Sequence, residues 1–254
     1  MSSALDHALS SATASAPSAR ASRSALAAGT VGRIGEELIN CLLESTHYRS
    51  VSVMVEAPLR SVVPRLQPWQ VCTAVLADLA HGGAADIALP RVDDVFCCIS
   101  DARSHFKRDQ AYVQLRKEQI PALARLAAQG GVRRFVLVAP LSAFLQLSTS
   151  GGLIDLRESD LTTLGFEVLI VVRPTADYAT ATGSVLERLI GWGAKAIMQI
   201  MIPQRLQPLR ARQIAQAAVN AATLLGKGVH IVGAHEIAEL AAPGTQSNPK
   251  RMRL

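Results

Sequence analysis

The sequence is poor in aromatic residues, which make up only 4% of its 254 residues. Binding of single-stranded nucleic acid relies on bases stacked against aromatic side chains, and duplex binding relies on a basic stripe across a folded face. The net charge of +6 offers no such stripe, because residues 240–254 carry +3 and residues 1–23 carry +1, which leaves +2 for the rest. We therefore expect no nucleic-acid partner.

The sequence also lacks cysteine motifs and long apolar runs. Its four cysteines include no CxxC pair, so neither a zinc site nor a disulfide framework is indicated, and a reducing cytoplasm is the expected location. The apolar stretch from Ala196 to Pro203 is interrupted by Gln199 and is far shorter than the roughly 20 residues of a spanning helix. We predict no membrane span and no metal site.

What the sequence does contain is an alternation of short β-branched runs with longer segments of helical period. This pattern predicts an α/β fold, a single Rossmann-like domain with a doubly wound, mostly parallel sheet of about seven strands. The predicted strands are 25–28, 51–55, 71–76, 94–99, 135–139, 168–172 and 229–232, and the predicted helices are 34–45, 109–129, 153–164, 184–200 and 212–225.

The ends of the chain differ in composition from its middle. Residues 1–23 are rich in Ser and Ala and are predicted to be a solvated tail, although their shortage of acidic residues is somewhat like a transit peptide. The domain is expected to span residues 24–239, and residues 240–254 are expected to form a basic flexible tail.

A glycine turn follows the first predicted strand and leads directly into a helix. It reads Gly-Thr-Val-Gly-Arg-Ile-Gly over residues 29–35, a G-x-x-G-x-x-G pattern. Glycines let the backbone approach a pyrophosphate, and the free N–H groups at the helix start donate to its oxygens. The turn predicts a dinucleotide site formed by Gly29, Thr30, Val31, Gly32, Arg33 and Ile34.

An acidic residue stands where such a site needs one. Glu56 ends the next predicted strand, 21 residues after Gly35, and is placed to bond the adenosine ribose hydroxyls. That spacing favours NAD as the cofactor. Arg33 and Arg60 offer positive charge to a 2′-phosphate, so NADP stays open as the alternative, and Glu56 as an ordinary strand-end charge is the simpler interpretation.

With this turn, the sequence resembles the short-chain dehydrogenase/reductase superfamily, in particular its atypical Tat-interacting-protein-like oxidoreductases. The resemblance spans about residues 24–237 and includes the segments 93–98, 133–138, 164–166, 172–174 and 213–215. It implies that Asp78, after the third strand, lies near the adenine. It also implies that Ser100, within 99–101, lines the adenosine and phosphates, and that Arg173 and Pro174 begin the substrate-side loop.

The catalytic pair of that superfamily is missing. Its members use a Tyr-x-x-x-Lys helix, and none of the five lysines here has a tyrosine four residues earlier. The matching positions are expected at Ser150 and Ile154, and the usual substrate-orienting serine is replaced near Ala139, with Ser142 one register too far. No catalytic residue is therefore assigned.

Other candidates for proton chemistry are weaker. Tyr112 and Arg116 have helical i, i+4 spacing but are expected to be structural, and Asp177 with Tyr178 is the best unconventional pair. The stretch 235–239 begins like a zinc-protease motif but carries Glu at the second His position. The helix 184–200, which includes Trp192, is expected to be core or a homodimer contact.

Three functions follow from these patterns. The first is a nucleotide-dependent sensor or scaffold that binds a dinucleotide without Tyr/Lys chemistry. The second is an active NAD(P)-dependent oxidoreductase or epimerase that acts on a small carbonyl or sugar-like ligand through other groups. The third is an interaction protein whose nucleotide site has decayed.

Overall fold

Seven parallel strands form one sheet in the computed structural model, which describes residues 23–59, 63–80, 87–99, 111–139, 161, 163–174 and 209–242. The strand order is β3-β2-β1-β4-β5-β6-β7, so the direction of winding reverses between β1 and β4. This confirms the predicted doubly wound α/β class. The strands are β1 (Arg23–Ala28), β2 (Tyr48–Val55), β3 (Leu66–Gln70), β4 (Asp94–Cys98), β5 (Arg134–Val138), β6 (Val168–Val172) and β7 (Gly228–Val232).

Helices cover both faces of this sheet. Two buried apolar clusters, one on each face, join the strands to these helices: α1, α4 and α5 pack on one face, and α2 and α3 pack on the other. The helices are α1 (Arg33–Glu44), α2 (Thr73–Ala80), α3 (Ile120–Gln129), α4 (Ala211–Leu224) and α5 (Ala234–Leu240), with a 3₁₀ turn at Lys117–Gln119.

The central strand β1 is the one that local propensity predicts least well. Alanine is a poor strand former, yet Ala25, Ala27 and Ala28 are fully buried, and β1 pairs with β2 on one side and β4 on the other. Small side chains here let helices approach the sheet from both faces. Tertiary packing therefore fixes the conformation that propensity leaves weak, and the strand begins at Arg23, two residues before its predicted start.

The predicted third strand at 71–76 is wrong. The structure instead has β3 at Leu66–Gln70, and α2 begins at Thr73. The β3 strand contains Pro68, which removes a backbone donor, and this is tolerated because β3 lies at the edge of the sheet and hydrogen-bonds on one side only. The apolar run after Val71 belongs to a helix. Periodicity alone does not distinguish a short buried helix from a strand.

The single helix predicted over 109–129 is also wrong in its first half. Residues 113–116 form neither a helix nor a strand, and the α-helix starts only at Ile120, after the 3₁₀ turn. Pro121 explains the start, because proline fits the first turn of a helix but breaks an interior. Tyr112 and Arg116 therefore do not share a helix face, and the premise for that pair is removed.

Several predictions fall outside the described residues. These are the helix at 184–200, most of the helix at 153–164, and nearly all of the predicted tails at 1–23 and 240–254, of which only residues 23 and 240–242 are described. The described part of the chain contains no helix both long and apolar enough to cross a bilayer.

Candidate functional site

The glycine turn lies at the carboxyl end of β1, where the strand order reverses. In open parallel sheets this reversal opens a crevice beyond the strand ends, and ligands bind there. A Cβ added to Gly29 would overlap the carbonyl oxygen of Cys98 at the end of β4, and Gly29 has φ +71°. Glycine is thus required at this position both by space and by backbone conformation.

The other two glycines of the turn also meet a structural demand. Gly32 is the N-cap of α1, with φ 85° and ψ 179°, a combination that essentially only glycine adopts. A Cβ at Gly35 would overlap the backbone of Thr30, so the first turn of α1 packs directly on the preceding loop. The predicted G-x-x-G-x-x-G turn therefore forms in the predicted strand–turn–helix context.

The amino terminus of α1 keeps donors for a ligand. No side chain of the described residues caps the helix at Gly32, and the first N–H groups of a helix have no intrahelical partner. These groups and the helix dipole together favour an anion. Val31 is buried, whereas the Arg33 side chain is exposed.

Thr30 adds a polar atom without a partner. Its side chain is 1% exposed, and its Oγ1 has no hydrogen-bond partner among the residues that the structure describes. An unpaired buried hydroxyl costs free energy, so such atoms are uncommon and ask for an explanation. Its position inside the glycine turn is consistent with a ligand that supplies the missing hydrogen bond.

Glu56 lies at the carboxyl end of β2, the strand beside β1, as the sequence predicts. Its side chain is exposed, and its backbone N–H donates to the Ala111 carbonyl over 2.8 Å. Asp78 does not follow a strand: it is exposed on α2, because the third strand ends at Gln70. Ser100 lies outside the described residues, directly after the end of β4.

The remaining catalytic candidates receive little structural information. Ser142, Ser150, Ile154, Asp177 and Tyr178 lie outside the described residues. Arg173 and Pro174 follow β6 at the same carboxyl edge of the sheet as the glycine turn.

The cysteines near the site are buried. Cys97 and Cys98 lie on opposite faces of β4, and each packs in a different apolar cluster. Burial raises the pKa of the Cys98 thiol to about 12 and that of Cys41 to about 11, which leaves both protonated at neutral pH. Among the described residues, no three His, Cys, Asp or Glu side chains are grouped to hold a metal ion.

Sequence reasoning missed a further element of the site, the segment Ala111–Leu115, in which Tyr112 is a bridge residue and residues 113–115 have no regular secondary structure. Tyr112 forms an antiparallel bridge with Val55 at the end of β2, and a Cβ on Gly29 would lie 3.1 Å from the Leu115 Cβ. This segment thus contacts both ends of the predicted dinucleotide site. The alternation of apolar Val113 and Leu115 with polar Gln114, followed by Pro121, is the sequence signal that argues against a helix here.

No family model matches the sequence, and no curated protein is significantly similar to it. Solved structures match the fold. Pen from Bacillus thuringiensis has 14% sequence identity and a TM-score of 0.51, and the match covers 88% of this chain and 74% of Pen. A UDP-glucose 4-epimerase has 12% identity and the same TM-score of 0.51, with 89% and 83% covered.

A third structure is the Bordetella bronchiseptica enzyme WbmH in complex with NAD+. It has 15% identity and a TM-score of 0.45, and the match covers 87% of this chain and 83% of WbmH. The likeness at these identities concerns the fold, and the two matches at 0.51 agree with the doubly wound parallel sheet.

Proposed function

We propose that this protein binds a nicotinamide dinucleotide at the glycine turn, as a protein of the short-chain dehydrogenase/reductase type. One observation carries the proposal: an uncapped helix start, three glycines required by space or by backbone conformation, and the Thr30 hydroxyl, unpartnered among the described residues, meet at the reversal point of the sheet. This is the corner at which doubly wound sheets bind dinucleotides.

The residues of the turn suit the parts of a dinucleotide. The backbone amides of residues 30–34 would donate to the pyrophosphate, with the Thr30 hydroxyl as an additional donor. Glu56 would accept from the ribose hydroxyls, which favours NAD over NADP, because a carboxylate repels a 2′-phosphate. Ser100 and Asp78 are candidate contacts only through the family resemblance. NADP is the alternative cofactor, because the exposed Arg33 side chain offers positive charge to its 2′-phosphate.

We infer that the bound nucleotide regulates contacts of the protein, which acts as a sensor or scaffold in the cytoplasm. A nicotinamide supplies hydride transfer when bound, but the chain has no Tyr-x-x-x-Lys pair to move the accompanying proton. No lysine stands four residues after a tyrosine anywhere in the sequence. Nucleotide binding without the usual proton transfer is what this residue set supports.

An active oxidoreductase or epimerase is the second candidate. The fold match to a UDP-glucose 4-epimerase favours it, with a sugar-like or small carbonyl ligand. Asp177 and Tyr178, which follow Arg173 and Pro174 in the sequence, are the groups available for proton transfer in that case. Association into a homodimer belongs to either proposal.

Calorimetric titration of the full chain with NAD+, NADH, NADP+ and NADPH tests the proposal. We expect saturable heat with the NAD pair and weaker binding of the NADP pair. Absence of heat with all four nucleotides would contradict the site. Turnover of carbonyl substrates at rates typical of reductases would instead favour the second candidate.

A substitution in the turn locates the binding site. Gly32→Asp places a carboxylate against the pyrophosphate and is expected to abolish binding. Gly165→Asp is the matched control, because Gly165 also has a positive φ of +79° but is exposed, with nothing near its Cβ position. Equal nucleotide affinity in both variants would contradict the assigned turn.

A separate double variant of the wild-type chain, Ser150→Tyr with Ile154→Lys, tests whether reductase activity can be restored.

A further inference from the structure

The segment Ala111–Leu115, which we term the strap, extends the hydrogen-bonding of β2 past the point where β1 ends. The β1–β2 register ends at Ala27 with Val53. Beyond it, the Glu56 N–H donates to Ala111 O over 2.8 Å, and the Val113 N–H donates to Met54 O over 3.3 Å. The strap is therefore hydrogen-bonded to Met54, near the end of β2, and to Glu56, directly after it.

The strap lies on the β1 side of β2. The Val51 N–H donates to the carbonyl of Arg65, just before β3, and the Val55 carbonyl accepts from the N–H of Val71, just after β3. Odd-numbered residues of β2 therefore face β3. Alternate residues of a parallel strand bond to opposite neighbours, so Met54 and Glu56 face the side of β1. The strap thus takes the place next to β2 that β1 leaves when it turns away at Gly29.

Packing holds the strap in this position. Val113 is fully buried and Leu115 is 2% exposed, both in the cluster beneath α2 and α3. Tyr112 is partly buried against the cluster on the opposite face. Behind the strap, buried Gln119 accepts from the Arg116 N–H and donates to the Leu76 carbonyl, which fixes the start of α3.

We propose that the strap is autoinhibitory: it lies between Gly29 and Glu56, across the adenosine side of the crevice, and must separate from β2 before a dinucleotide binds. This inference rests on the proposed function, since it concerns access to the same site. The apparent affinity is reduced by the fraction of molecules whose strap is closed. Adenosine and the strap compete for the same space beside the end of β2.

A reversible crosslink tests this competition. Val55 and Tyr112 are opposite residues flanked by the two strap hydrogen bonds, a non-hydrogen-bonded antiparallel pair with Cα atoms about 4.5 Å apart. That separation suits a disulfide. We would make Val55→Cys with Tyr112→Cys in a Cys72→Ser background, because Cys72 is the one exposed native thiol among Cys41, Cys72, Cys97 and Cys98.

The oxidised double variant is expected to bind NAD+ about tenfold more weakly or worse than the same protein after reduction. Failure of the disulfide to form would show that the strap does not lie against β2 and would overturn the proposal. Equal affinity of the oxidised and reduced forms would also overturn it and leave the nucleotide site intact. Absence of binding in the wild type and in both forms would contradict the proposed function itself.

Loosening the strap should have the opposite effect. Tyr112→Ala removes its packing on the sheet and is expected to tighten NAD+ binding about three- to tenfold. Gln114→Ala, at an exposed position of the same strap, is the control and is expected to change the affinity less than twofold. Unchanged or weaker binding by Tyr112→Ala would contradict a competing strap.

Discussion

The two ends of the sheet are built differently. At the amino end, Arg23, Tyr48, Asp94 and Arg134 are the first residues of four neighbouring strands, and their side chains form one network. The Tyr48 hydroxyl donates to Asp94 Oδ2 over 2.7 Å. The guanidinium of Arg23 lies 3.5 Å from Asp94 Oδ2, and that of Arg134 lies 3.4 Å from Asp94 Oδ1. Each Asp94 oxygen thus has a cationic neighbour, although the side chain is fully buried.

Burial has a visible cost in this network. It raises the pKa of Asp94, an effect that the Tyr48 hydrogen bond and the two arginines only partly offset. Burial likewise raises the pKa of Tyr48 well above its ordinary value, with the Asp94 charge adding to the shift. Next to it, the Asp93 carboxylate accepts from both the N–H and the hydroxyl of Ser24.

The amino-end network leaves Arg134 Nε buried without a partner among the described residues, and the carboxyl end leaves a hydroxyl in the same state. Thr30 Oγ1 is buried and unpaired, and α1 starts at Gly32 without a side-chain cap among the described residues. The comparison indicates a division between the two ends: the amino end joins four strands through one charge network, and the carboxyl end places the Thr30 hydroxyl and an uncapped helix start at the crevice, which the proposed function assigns to a ligand. Four predictions test this division, in order of expected effect.

Asp94→Ala should destabilise the protein most. It leaves the Tyr48 hydroxyl and two arginines without their common acceptor, and removing one partner of a buried charge network typically costs about 3–5 kcal/mol. Asp94→Asn, which keeps an acceptor for Tyr48, should lose less. Chemical denaturation measures both values. An Asp94→Ala variant as stable as the wild type would show that the amino end does not stabilise the sheet.

Gly29→Ala should destabilise the protein by about 1–3 kcal/mol more than Gly131→Ala. Both glycines have a positive φ, of 71° and 75°, so both variants incur a similar backbone strain. Only at Gly29 would the new Cβ overlap another group, the Cys98 carbonyl, whereas nothing lies near it at Gly131. Equal losses in thermal unfolding would mean that the close approach at Gly29 is not needed.

Thr30→Val should behave in opposite ways in stability and in binding. Removing an unpaired buried hydroxyl with little change of shape is expected to stabilise the free protein by about 1 kcal/mol. If the hydroxyl serves the ligand, dinucleotide affinity should fall at the same time. Differential scanning calorimetry and titration measure the two effects, and a loss of stability would show that Thr30 has a protein partner.

The smallest effect is expected at an exposed pair on the amino end. A hydrogen bond from Arg133 lowers the pKa of Glu167, so the pair contributes stability above the ordinary pKa of 4.5 and loses it as the pH falls through the lowered value. The difference in melting temperature between wild type and Glu167→Gln should therefore shrink as the pH falls below 4.5. A difference that grew in acid would reverse the assigned sign.

Local patterns predicted the elements that are buried on both faces. The run from Val168 to Val172 is apolar throughout and lies as β6 within its predicted bounds, because a continuous β-branched run suits only a strand covered on both sides. The glycine turn was predictable for a related reason. Its three glycines are required at fixed offsets, Gly29 and Gly32 by a positive φ and Gly35 by close packing on Thr30, which leaves a signature in the sequence itself.

Elements whose conformation depends on distant neighbours were not predictable in the same way. In the sequence, Pro68 indicates the end of a strand unless β3 is known to lie at the edge of the sheet. The helical spacing of Tyr112 and Arg116 predicts a helix that the bridge from Tyr112 to Val55 excludes. Both depend on contacts between residues far apart in the chain.

The amino-acid sequence alone determined the fold class, the position of the glycine turn and the absence of a Tyr-x-x-x-Lys pair, since these depend on residue identity and short-range spacing. Only the tertiary structure decided that Thr30 is buried without a partner, that four strand starts share one charge network, and that the strap crosses from Gly29 to Glu56. The physical reason is that hydrogen-bond satisfaction and burial are properties of three-dimensional neighbourhoods, which segments separated by tens of residues create together.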